Sequence, residues 1–490
     1  MTTTSLAARL AAVCGDLTTE LENGYAARAD AIRRRLHGPL RIAITGRVKA
    51  GKSTLVNAMV GERLAPTDTG ELTRIVSWYR YSPSYSVQGH TADGKVIALP
   101  FRKGDAAVEI DPGPGAQDLE RLEIGWPSSK LSTATLIDTP GLGSLDPGIS
   151  SRTRSLLALD DPGPSQVDAV VYLMRHAHAE DANFLEGFRD AGLPFCSPVN
   201  TIAILSRADE IGGGRPESME SAARIAARYA RDERIRSLAG TVLAVAGLLA
   251  ETGTTLEESE FSAIRQVASL GAGVDDLLLS VDRFRNPEAN PLSAEWRERL
   301  LSRLGLYGLR YAVRLVHHGE VSSAQELATR LQGRSGLFEL RELLASNFTS
   351  RSHQLVARSA LIELRALARD LRASGQAAAG RLERLVEEIE ASAHELAELE
   401  LLHQVAIGDV RFTEREREEV ERLTGSGGFA GRLGLDPDAS RDAQRTATLD
   451  AISRWRERAG NPLTDRETAR ACETMSRSYE GIYAELNHGG

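Results

Sequence analysis

Gly46-Arg47-Val48-Lys49-Ala50-Gly51-Lys52-Ser53 is the stretch on which the reading of this chain turns. Its two glycines, their spacing and the closing Lys-Ser match a phosphate-binding loop. The apolar run Leu40-Arg-Ile-Ala-Ile-Thr45 before it reads as a buried strand. Thr54-Leu-Val-Asn-Ala-Met59 after it reads as the opening of a helix. Such a loop needs that context. The glycines let backbone N–H groups turn inward around phosphates, and the helix presents its positive end to them. Lys52 is expected to reach the β- and γ-phosphates, and the Ser53 hydroxyl to ligate Mg²⁺. Arg47, Val48, Lys49, Ala50 and Thr54 complete the expected cradle.

The next element outward is Asp138-Thr-Pro-Gly141, at the end of the apolar run Ala134-Thr-Leu-Ile137. Asp138 is expected to hold Mg²⁺ through water, and the Gly141 amide to meet the γ-phosphate. The 85 residues separating Ser53 from Asp138 imply insertions between the two elements.

A third element concerns the base. The strand-like Thr201-Ile-Ala-Ile-Leu205 precedes Ser206-Arg207-Ala208-Asp209. A carboxylate at Asp209 accepts from guanine N1–H and N2–H₂, which adenine cannot supply. The usual guanine-reading pattern has Asn or Thr and then Lys where this chain has Ser206 and Arg207. The stem of Arg207 can stack on the ring, whereas Ser206 is too short to copy the whole role of Asn. The alternative is that Asp209-Glu210 only caps the next helix. Ala246-Gly247, after the run at Val242, fits a backbone contact to guanine O6. These residues predict GTP and GDP as ligands.

Composition sets the frame. At 490 residues the chain is too long for one ordinary core. The 42% hydrophobic and 26% charged fractions are those of a globular protein. A net charge of -9 argues against nucleic acid as a partner. Cys14, Cys196 and Cys472 are scattered and form no metal-ligand pattern, so buried apolar thiols in a reducing cytoplasm are expected. The first residues lack the layout of a signal peptide. No window approaches the roughly 18 apolar residues of a membrane span.

Along the chain, residues 5 to 36 read as one or two helices. Strand-like and helical segments then alternate to about residue 280, the signature of a mostly parallel sheet with flanking helices. Beyond about residue 290 the pattern is amphipathic helix only. Trp296, Leu300, Leu304, Tyr311 and Leu315 share a stripe there, with Arg297, Arg303, Arg310 and Arg314 off it. The expected architecture is an α/β P-loop GTPase domain (39–285) and an extended helical neck and trunk (286–490). Helices in 1–38 are expected to join the neck.

Taken together, Gly46–Ser53, Ala65-Pro-Thr-Asp-Thr-Gly-Glu-Leu-Thr-Arg74, Asp138–Gly141 and Leu205–Ile211 resemble the bacterial dynamin-like proteins. Within them the likeness is to the isoniazid-inducible, IniC-type members of actinobacteria. It covers nearly the whole chain, including Leu433-Gly-Leu-Asp-Pro437. The resemblance implies GTP hydrolysis coupled to head-to-head self-association and to membrane remodelling or fission. It also implies a cytoplasmic protein held peripherally at the inner face of the membrane, with a paralogous dynamin-like protein as a partner. By position, Thr73 becomes the switch threonine, ligating Mg²⁺ and helping to place the attacking water; Thr67 and Thr69 are the alternatives.

Two departures bear on mechanism. Leu142 stands where Ras-like enzymes carry a water-orienting Gln. Lys49 stands where cation-dependent dynamins hold Ser or Asn, and where guanylate-binding proteins hold an Arg finger. Its ammonium is expected to meet charge developing between the β- and γ-phosphates when two heads join. The alternative is a Lys49 that points to solvent or pairs locally. In the helical half, the turn Ala373–Gly380 with Arg365, Arg369, Arg372, Arg381 and Arg384 is a candidate contact for anionic lipid. The competing reading balances those arginines against nearby glutamates. Two other functions remain in view: a GTP-binding regulatory partner with little turnover of its own, and a translation or tRNA-modifying GTPase.

Overall fold

The first strand, β1 (Leu40–Gly46), is buried at nearly every position and lies inside a nine-stranded sheet. The structure is a computed structural model. It describes residues 5–65, 75–91, 93–103, 108–111, 119–140, 167–175, 197–288, 290–425 and 427–488. The other strands are β2 (Val76–Tyr81), β3 (Ser86–Thr91), β4 (Val96–Ala98), β5 (Phe101–Lys103), β6 (Val108–Ile110), β7 (Leu119–Trp126), β8 (Ala134–Asp138), β9 (Ala169–Met174), β10 (Thr201–Ser206) and β11 (Thr241–Val245). The sheet order is β11-β10-β9-β1-β8-β2-β7-β3-β4, with β5 and β6 forming a separate antiparallel pair. From β11 to β8 every pairing is parallel. β2 runs antiparallel to β8 and parallel to β7, and β3 and β4 close the edge antiparallel. The sheet is thus mostly parallel, as expected. Strands β3 to β7 supply the insertion that the long Ser53–Asp138 spacing requires.

Alternation along the strands sends side chains into two cores. Ile42, Ile44, Leu173 and Ile204 face one, with α1 (Leu6–Glu20), α2 (Asn23–Arg35) and α3 (Lys52–Val60). Ala43, Tyr172, Ala203 and Leu205 face the other, with α4 (Ser218–Ala230), α5 (Gly247–Thr255) and α6 (Glu258–Ala268). Two later helices join this second core, α7 (Ala294–His317) and α8 (Ala324–Arg334), through Leu300, Leu304, Leu315, Leu327 and Leu331. The strands end before residue 285, but the core on this face continues through Leu331. The arginines off the α7 stripe are not a free basic face. Arg303 is buried against Glu260 at 2.9 Å, and Arg297 donates to the Leu292 carbonyl at 2.6 Å. A helix covered on two sides has to satisfy its cations internally.

After Ser335-Gly336 the chain continues as α9 (Leu337–Asn347), α10 (Ser352–Ala373) and α11 (Ala378–Ser392), which pack with α1 and α2 in the first core. Helices α12 (His394–Ile407), α13 (Glu414–Leu423), α14 (Arg441–Ala459) and α15 (Arg466–His488) enclose a third core around Trp455, Met475 and Tyr479. Cys14 and Cys472 are free and buried, and burial pushes their thiols up to about 12 and about 11; Cys196 lies outside the described residues. At the α10–α11 turn, Arg365 pairs with Glu390, Arg372 with Glu383 and Arg381 with Glu20. The neutralised hairpin, not a basic lipid-facing tip, is what the structure contains at these three arginines. Among the described residues no helix is long and apolar enough to cross a membrane.

A buried pair joins the N-terminal helices to the sheet. Asp168, 1% exposed, accepts from Arg35 of α2 and from the Arg41 amide at 2.8 Å. Arg35→Met strands that carboxylate and is expected to cost about 3 kcal/mol. Thermal unfolding followed by tryptophan emission should show a lower midpoint, which Arg35→Met/Asp168→Asn largely restores.

Candidate functional site: a nucleotide cleft

Parallel register builds the cleft. Ile44 of β1 lies opposite Asp138 of β8, and Gly46 opposite Leu173 of β9, so the phosphate loop leaves the sheet between two strand ends. Crevices at the carboxyl ends of parallel strands, where the order reverses, are where α/β sheets bind ligands. Gly46 has φ 146°, and a Cβ there would stand 2.3 Å from the Leu173 carbonyl oxygen, so the position admits only glycine. Gly51, at φ 89°, starts α3.

Two charged groups meet beneath the loop. Ser53 Oγ donates to Asp138 Oδ2 at 2.7 Å, and Lys52 Nζ donates to the Arg47 carbonyl at 3.2 Å. Asp138 Oδ1 is buried without a partner among the described residues. Burial pulls the Lys52 ammonium below its ordinary range, opposed by Asp138. Burial likewise pushes Asp138 up, opposed by Lys52 and the Ser53 hydrogen bond. Hard oxygen donors with an unspent carboxylate oxygen fit Mg²⁺, which takes one or two protein oxygens and shares the rest with phosphates and water.

The base side is assembled from β10 and β11. A cleft of about 110 Å³ is lined by Ala50, Gly51 and Thr54 on one side and by Ser206, Arg207, Asp209, Gly247 and Leu248 on the other. Asp209 is 5% exposed and sits in a 3₁₀ turn, Ala208–Glu210. Burial pushes its carboxyl up to about 6, with Glu210 adding to the rise and a backbone hydrogen bond and Arg207 opposing it. Lys49 and Arg207, at φ 62° and 53°, are the non-glycine residues with positive φ among those described. Both lie in loops at the candidate site, and backbone strain of this kind concentrates at functional sites.

Several expected residues take different duties. Ser206 spends its hydroxyl hydrogen on the Met174 carbonyl at 2.9 Å, tying β10 to β9. The Arg207 guanidinium pairs with Glu210 at 2.7 Å while its residue lines the cleft. The Ala246 amide is committed to the Ser335 carbonyl at 2.9 Å, whereas Gly247, in the first turn of α5, lines the cleft. Val48 and Lys49 stand exposed at the lip, and no ion pair ties Lys49 to another described residue. Thr73, Thr67, Thr69, Gly141 and Leu142 lie outside the described residues. Leu248 and Leu173 were not expected; apolar residues lining a cleft carry no sequence signature.

The family model described as "Dynamin family" matches residues 42–179. Isoniazid-induced protein IniC of Mycobacterium tuberculosis is 39% identical over 465 residues, 94% of this chain and 92% of the relative. Bacterial dynamin-like protein of Nostoc punctiforme is 30% identical over 121 residues, 22% of this chain and 18% of that protein. A solved oligomerised bacterial dynamin pair, described as a mechanism for long-range sensing and tethering of membranes, aligns with 98% of this chain and 75% of its own at 13% identity and a TM-score of 0.32.

A guanine read by Asp209 would need both carboxylate oxygens as acceptors, and protonation turns one into a donor. Affinity for GDP should therefore fall as pH drops through about 6, approaching tenfold per unit below it. Calorimetric titrations between pH 7.5 and 5 check this. Asp209→Asn should retain only the shallower dependence that belongs to the nucleotide phosphates.

Proposed function

The chain belongs to the bacterial dynamin-like GTPases of the IniC kind, and from that membership we propose that it binds GTP with Mg²⁺, hydrolyses it to GDP and phosphate, and couples the cycle to head dimerisation and membrane remodelling. The observation that carries this reading is that the loop bearing Lys52 and the Ser53–Asp138 pair shares a cleft, through Ala50, Gly51 and Thr54, with Asp209. The first three suit a nucleotide's phosphates, and the last suits guanine.

In this reading Lys52 and the amides of Gly46–Ser53 hold the β- and γ-phosphates in line with the attacking water. Ser53, Asp138 and Thr73 would hold Mg²⁺, which supplies charge neutralisation on the transferring phosphoryl group. Phosphoryl transfer needs positioning and charge more than covalent help, so a cation at the β–γ bridge matters most. Lys49 is our candidate. Its left-handed backbone and exposed position suit a group that is ordered by a second head docking over the lip. As a point charge it contributes less than the roughly 10³–10⁵ of an Arg finger.

The helical half is the part we assign to the membrane, peripherally and at the inner face, with a paralogous dynamin-like chain as a further partner. The ion-paired α10–α11 turn is not offered as the contact.

Turnover of the pure protein with GTP, with and without anionic liposomes and with ATP as control, tests the reading. Expected are GTP turnover, stimulation by liposomes and no ATP turnover; equal use of ATP defeats the guanine assignment. Lys49→Ala should lower turnover at least tenfold while leaving GDP affinity unchanged. Unaltered turnover removes Lys49 from the mechanism.

A further inference from the structure

Helix α7 follows the last strand of the sheet, yet it reaches back to the base side of the cleft. It is broken at Gly305, which has φ 61° and ψ −179°. That combination is open essentially to glycine alone. The break lies directly behind the lining of the cleft. A Cβ built on Gly305 would stand 3.6 Å from Asp209 Oδ2 and 3.6 Å from Leu248 Cδ1. Thr252 of α5, fully buried, donates its hydroxyl to the Arg303 carbonyl at 2.6 Å, two residues before the break. The kink is therefore held from the same helix that opens with Gly247.

The loop that presents Asp209 needs such support. It runs on into Gly212-Gly213-Gly214, all three with positive φ, a sequence with little conformational preference of its own. Arg310 of α7 donates to the Gly214 carbonyl at 2.6 Å and to the Leu278 and Leu279 carbonyls at 2.8 Å. Tyr307 OH accepts from Arg334 at 2.9 Å, and Arg334 in turn donates to Glu220 beyond the loop. One helix thus lies with bare backbone beside the Asp209 carboxylate at Gly305 and holds the loop's last glycine through Arg310.

We propose that α7 is the outer wall of the guanine pocket, with Gly305 as a positioning residue that seats the Asp209 carboxylate for base recognition. This rests on the reading that the cleft takes a guanine nucleotide. The break at Gly305 lets the helix approach the carboxylate with bare backbone, and Thr252 keeps the break in place. Removing either support tilts Asp209 away from N1–H and N2–H₂ together.

The test compares GDP with inosine diphosphate, which lacks the exocyclic amine but shares ribose and phosphates. Binding of both is measured by calorimetry for the wild type, Gly305→Ala and Thr252→Val. Gly305→Ala is expected to weaken GDP about tenfold and inosine diphosphate less, narrowing the ratio of the two affinities. Thr252→Val, close to isosteric, should shift the ratio in the same direction by a smaller factor, and it carries the test if Gly305→Ala does not fold. Unchanged affinities, or equal losses for both nucleotides, overturn the proposal, because a general lesion of the head cannot sense one amine. A wild type with no preference for GDP over inosine diphosphate or ADP would instead defeat the guanine reading beneath it.

Discussion

A hydrogen bond of 2.7 Å between Ser53 and Asp138 joins residues 85 positions apart, and the rest of the head depends on the register that permits it. Parallel pairing of β1 with β8 sets Ile44 opposite Asp138, and pairing with β9 sets Gly46 against Leu173. Shifting either strand by one residue would turn its buried side chains to the wrong face. It would also carry Asp138 away from the loop, or drive the Leu173 carbonyl into it. The apolar packing on both faces of the sheet thus fixes the geometry of a polar site that contributes little packing of its own.

Around that point the burial of charge follows one logic. Lys52, Asp138 and Asp209 are each held where their charged forms are disfavoured by burial. Phosphate, metal and base are the counter-groups such an arrangement suits. Elsewhere some buried charges are paired within the fold, as Arg303 is with Glu260 and Arg35 with Asp168.

The helical half divides between two duties. Helices α7 and α8 complete the second core of the head, whereas α9 to α11 pack with the N-terminal helices on the other face. Between them, Ser335-Gly336 touches the strand that ends in the base-side loop. Ser335 accepts from the Ala246 amide, and Gly336, at φ 80°, lies so close to the Ala244 carbonyl that a Cβ would stand 2.3 Å from its oxygen. The segment joining α8 to α9 is therefore in contact with the strand whose end lines the cleft.

The sequence by itself determined the phosphate loop, the central strands and the place of Asp209, because each depends on local order: a glycine spacing, an apolar run, a carboxylate at a fixed offset from a strand end. It also showed that residues were inserted before Asp138, though not that they form β3 to β7. Three of them, such as Val96–Ala98, are only three residues long, too short for alternation to register. Only the tertiary structure decided the rest. Ser206 and the Ala246 amide turned out to be bonded within the fold, since their partners, Met174 and Ser335, are distant in sequence. The α10–α11 arginines were matched by Glu390, Glu383 and Glu20, the last brought there by the N-terminal helices. Gly305 gave no local sign of its position behind Asp209. Helical periodicity records which face of α7 is buried, but not what lies against it.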